Sequence, residues 1–65
     1  MSPLNTDPNI EDPDGFYDEL LAVHAGLSKV DSDTLNARLI LILSNHIGDR
    51  AVLRAALEAA AQGAR

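Results

Sequence analysis

Apolar residues recur at helical spacing in three stretches of the chain, with turn-forming residues between them. Phe16, Leu20, Val23 and Leu27 fall on one stripe at about 100° per residue, the period of an α-helix. Asp12 is suited to cap that helix, and Pro13 to its first position, where a missing N–H costs nothing. Asp14, Asp18 and Glu19 then lie toward the positive end of its dipole. Gly26 followed by Leu27 predicts a Schellman-type stop, with the glycine left-handed. The first helix is expected over residues 13–25.

Ser28 and Asp31 have the spacing of a capping box, with Asp in place of the usual Glu or Gln. They predict a second helix over 29–47, ended by Gly48. The run Leu39-Ile40-Leu41-Ile42-Leu43 has the composition of a buried strand. Good helix formers flank it and no second strand candidate exists to pair with it, so the helix is the better reading. On a helical wheel Leu35, Leu39, Ile42, Leu43, Ile40 and Ile47 cover a wide arc, and Leu41 stands opposite. A helix apolar around that much of its circumference needs cover on more than one side.

Asp49 is placed to cap a third helix over 50–62, with Gly63 as its stop. Val52, Leu53, Ala56, Leu57 and Ala60 form one face of that helix, and Arg50, Arg54, Glu58 and Gln62 the other. The Gly48-Asp49 junction leaves room only for a sharp corner between helices. Residues 1–11 hold Pro3, Pro8, Asn5, Thr6, Asp7 and Asn9, with Leu4 and Ile10 as the only sizeable aliphatics. They read as an extended tail with turn chemistry. The expected fold is all-α, a three-helix domain over 12–65 behind that tail.

Length changes this picture. A chain of 65 residues is one small domain, and a domain of this size buries only about 60% of the surface its unfolded chain exposes. Small scaffolds usually add disulfides, a metal or a partner chain. Cysteine is absent, which excludes disulfides, thiolate metal sites and cysteine catalysis. Phe16 and Tyr17 are the only aromatic residues, so the core is expected to be aliphatic.

Charge is divided along the chain. Residues 1–33 hold one base, Lys29, against eight acids, a net of −7; residues 34–65 hold four arginines against Asp49 and Glu58, a net of +2. The acidic front argues against nucleic acid and anionic membranes, both of which need clustered Lys and Arg. It suits either a basic partner surface or plain solvation. No signal peptide is visible, and no apolar run approaches the ~20 residues that span a membrane. A cytoplasmic protein is therefore expected.

The wheel also sets polar residues on apolar faces. His24 falls between Leu20 and Leu21, His46 beside Leu39, and Asn36 near Leu43. A buried polar group left unpaired costs about 1–3 kcal/mol, so a hydrogen-bond network that fixes helix packing is the first reading. Contact with a protein partner is the second. A metal site of His24, His46 and Asp49 is the third and least supported, because the two histidines lack a ligand spacing such as HExxH. A Ser44–His46 dyad fails because residues two apart on a helix face different directions. The glycines are isolated and form no phosphate loop, and three short helices scarcely enclose a pocket of ~300–1,000 Å3. No catalytic residue or cofactor is implied. Arg38, Leu41 and Asn45, spaced i, i+3, i+7, make one stripe opposite the main apolar face and form a candidate contact surface.

The stretches Asp12–Ser28, Leu35–Asp49 and Ala51–Leu57 resemble a family of short bacterial proteins, the domain of unknown function 2783. The runs Asn36-Ala37-Arg38-Leu39 and Asn45-His46-Ile47-Gly48-Asp49 carry the resemblance most specifically. Members are often encoded beside flavin-dependent aromatic-ring monooxygenases and other aromatic-catabolism enzymes. The resemblance therefore implies an accessory or small-subunit role, with no activity to carry over. It draws attention to His24, Asn36, Arg38, Asn45, His46 and Asp49, which lie inside the matching blocks. Three functions are expected to compete. The chain is a binding partner of such a monooxygenase, a homo-oligomeric helical module with Ile40 and Leu41 in a self-complementary patch, or a small metal- or ligand-binding protein using His24 and His46.

Overall fold

Side-chain caps set where each helix starts. In the computed structural model, which describes residues 3–64, α1 spans Pro13–His24, α2 Lys29–Ile47 and α3 Arg50–Gly63. The Asp12 carboxylate accepts from the Gly15 N–H at 3.2 Å. Asp12 itself is left-handed (φ 48, ψ 67), the one described non-glycine residue with positive φ. Gly15 has a steric reason for lacking a side chain: a Cβ there would overlap the capping carboxylate of Asp12. The Ser28 hydroxyl accepts from the Asp31 N–H at 3.1 Å and starts α2. Asp49 starts α3, its Oδ1 accepting from the N–H groups of Ala51 (2.9 Å) and Val52 (3.3 Å). These bonds satisfy N–H groups that have no partner within the helix.

The first stop differs from the expected one. Ala25 takes φ −59 and ψ 128, Gly26 takes φ 79, and the Leu27 N–H reaches the His24 carbonyl at 3.1 Å. Those angles and that bond make a type II turn, which requires positive φ at its third residue. Gly26 is thus left-handed as expected, but it serves a turn rather than a Schellman motif. The extended ψ of Ala25 ends the helix one residue before the expected boundary. At the end of α2, Gly48 is left-handed (φ 72) and its N–H bonds the Ser44 carbonyl at 2.9 Å. α3 runs through Gly63, one residue beyond expectation. In the tail, the Asp7 N–H bonds the Asn5 side chain at 3.0 Å, a local turn. Met1 and Ser2 of the tail and Arg65 of the domain lie outside the described residues.

The fold is all-α, with no strand among the described residues. α3 packs on α2 beyond the Gly48-Asp49 corner. α1 is tied to the first turn of α2 by a hydrogen bond between His24 Nδ1 and Ser32 Oγ at 3.0 Å. The aliphatic core expected from composition is not closed: no described residue is fully buried. Leu20, Leu35, Leu39, Val52, Leu53 and Ala56 are half-buried, and the other large aliphatics from Leu21 onward are exposed.

Two whole-chain quantities, to which the largely exposed tail also contributes, show that the chain is not compact. A compact chain of this length has a radius of gyration of about 11 Å, whereas this one has 13.6 Å. A folded monomer of 6.9 kDa exposes about 4,000 Å2. This chain exposes 5829 Å2, an excess of about 1,800 Å2 over that scaling.

Candidate partner-contact surface

α2 carries an apolar groove on each of two flanks. Toward α1, Val23, Leu35, Leu39 and Ile42 with Arg38 line a groove of about 290 Å3. Toward α3, Ile40, Ser44, Leu53, Ala56, Leu57 and Ala60 line one of about 390 Å3. The small residues Ser44, Ala56 and Ala60 make the second groove. They fill little of the space between the helices and hold no charge.

Leu41 lines neither groove and is 70% exposed, with Arg38 and Asn45 exposed beside it on the same stripe. All three residues of the candidate stripe are thus exposed, with Arg38 also bordering the α1-side groove. An aliphatic side chain flanked by a guanidinium and a carboxamide offers apolar area together with donors that fix orientation.

The polar candidates separate. His24 is half-buried, and its bond to Ser32 gives it the packing role expected of a hydrogen-bond network. Ser32 was not singled out from the sequence; it becomes visible only once the Ala25–Ser28 turn folds α2 back on the end of α1. Asp49 serves as the α3 cap. Asn36 and His46 are exposed, not buried as their wheel positions suggest. Among the described residues, no three His, Asp or Glu side chains gather where a metal ion would be held. Nor is any described helix long and apolar enough to cross a membrane.

Among the described residues, the charges around these surfaces form no ion pair with one another. Among the described residues the one ion pair is Lys29–Asp33 at 2.8 Å, an exposed i, i+4 pair of small energetic weight. Arg54 and Glu58 stand four apart on α3 and do not pair with each other.

A family model described as Protein of unknown function (DUF2783) matches residues 4–62, nearly the whole chain, and the chain belongs to that family. No curated protein and no solved structure matches it.

Proposed function

We propose that this DUF2783 protein is a small helical interaction subunit that works by binding an enzyme in the cytoplasm. The partner class is a flavin-dependent aromatic-ring monooxygenase or a related enzyme of aromatic catabolism, the class that the family resemblance implies. The contact runs along Arg38, Leu41 and Asn45 of α2, and the chain itself supplies no catalytic group. The observation that carries this reading is the exposure of apolar side chains on every side of α2: Ile40, Leu41 and Ile42 are consecutive and 61%, 70% and 62% exposed. Consecutive residues on a helix point in different directions, so no single intramolecular neighbour could cover all three. Contiguous exposed apolar surface of this kind marks protein interfaces.

The test is affinity purification of the full chain from its native source, beside a Leu41→Lys variant. A flavin-dependent oxygenase is expected to copurify with the native chain and to be lost with the variant. Purification of the native chain without any enzyme would refute the reading, as would equal recovery with Leu41→Lys.

A further inference from the structure

We propose that α3 of this chain docks parallel on α1 of a second copy, with Arg50 and Arg54 facing Asp14 and Asp18 of the partner subunit. This goes beyond the enzyme-binding reading and uses none of Arg38, Leu41 and Asn45.

Each of the two helices presents a stripe that its own chain leaves uncovered. On α1, Asp14, Tyr17, Asp18 and Leu21 fall at i, i+3, i+4 and i+7, one side of a helix. All four are exposed, Tyr17 by 58% and Leu21 by 51%. On α3, Arg50, Arg54, Leu57 and Ala61 fall at i, i+4, i+7 and i+11, again one side. These four are also exposed, Leu57 by 70%. The half-buried Val52, Ala55 and Ala56 lie on the opposite side of α3.

Charge says what covers these stripes. From residue 3 to residue 28 the chain holds six acids and no Lys or Arg, so the α1 stripe calls for a basic counterpart. The α3 stripe is that counterpart, two guanidinium groups beside an exposed leucine. Among the described residues, none of Asp14, Asp18, Arg50 and Arg54 forms an ion pair within the chain. The charges that would satisfy one another are therefore present on one sequence and unused by it.

Spacing fixes the direction. Asp14, Asp18 and Leu21 are separated by four and then three residues, and so are Arg50, Arg54 and Leu57. Laid parallel, the stripes set Asp14 against Arg50, Asp18 against Arg54 and Leu21 against Leu57 at once. Laid antiparallel with both ion pairs kept, Leu21 falls before the start of α3 and Leu57 before the start of α1. Only the parallel register joins the charges and the leucines together. Each chain carries both stripes, so a two-fold exchange repeats the contact.

The experiment is sedimentation equilibrium of the full chain from about 1 to 100 μM, with helicity followed by circular dichroism. The native chain is expected to reach the mass of two 6.9 kDa chains, and to dissociate as salt screens the exposed pairs. Asp18→Arg or Arg54→Asp alone sets like charges against each other at both contacts. Each is expected to weaken the dimer about tenfold, with the helices retained because both positions are exposed. An equimolar mixture of the two variants is expected to recover the dimer, since each chain then carries the charge that the other's swap requires. Recovery of this kind arises only from a contact between chains. Leu41→Lys is expected to leave the mass unchanged. A native chain that stays monomeric at 100 μM overturns the proposal. So does a dimer indifferent to the single swaps, or a mixture no heavier than its components. A dimer lost with Leu41→Lys places the contact on α2 and overturns it as well.

Discussion

Asp49 lies within the span that matches the family, and its carboxylate is occupied at the start of α3. Replacing it with Ala removes one good hydrogen bond, to Ala51, and one longer one, to Val52. Removal of an N-cap typically costs about 1 kcal/mol and reaches about 2. Two features place this cap in the upper half of that range. The first turn of α3 holds no acidic residue, and Arg50 puts a positive charge at the positive end of the dipole. A loss of about 1.5 kcal/mol follows, which lowers the melting temperature of a domain of this size by about 6–12 °C. Asp49→Ser keeps an acceptor oxygen and gives up only the charge, so it should lose about a third as much. The assay is thermal unfolding by circular dichroism at one fixed protein concentration, because any association of chains would make the midpoint concentration-dependent. Unchanged melting of Asp49→Ala would refute the capping role. If Asp49→Ser behaved as badly as Asp49→Ala, the charge facing the helix dipole, rather than the acceptor oxygen, would be the requirement.

Two further outcomes test how the helices are held. Gly15→Ala gains about 1 kcal/mol of helix propensity, but its methyl displaces the Asp12 carboxylate and forfeits a cap of similar worth, so the net change should be a few tenths of a kcal/mol. In an Asp12→Gly background the same change should stabilise by about 1 kcal/mol in urea titration, and an equal effect in both backgrounds would sink the steric argument. His24→Ala and Ser32→Ala should each destabilise by about 1 kcal/mol, and the double variant should be scarcely worse than either alone, since one hydrogen bond is lost in each case. Strict additivity would show that the two side chains do not act on each other.

The helix starts were legible in the sequence because capping is local chemistry. Asp12 before Pro13, Ser28, and Gly48-Asp49 each act on backbone groups within a few residues, and all three do what their spacing predicts. The wide apolar arc of α2 was legible for the same reason. What escaped was anything requiring the path between helices. Ala25 turns extended, which converts an expected Schellman stop into a type II turn and brings Ser32 to His24. A helical wheel gives the direction of Asn36 and His46 but not whether a neighbour covers them, and both are exposed. The two grooves were likewise invisible, since they depend on which flank of α2 each neighbour takes.

Helix lengths explain why the chain cannot close on itself. α2 has 19 residues, α1 has 12 and α3 has 14. At about 1.5 Å per residue, α2 is roughly 28 Å long and its neighbours roughly 18 and 21 Å. Each covers one flank over part of that length and leaves Leu41 on one side and Leu43 and Ile47 on another exposed. Longer side chains on α3 would have narrowed the deficit, but half of the α3 residues lining the groove are alanine. Alanine favours the helix while burying little area. The composition that makes α3 a good helix therefore also leaves the space between it and α2 unfilled.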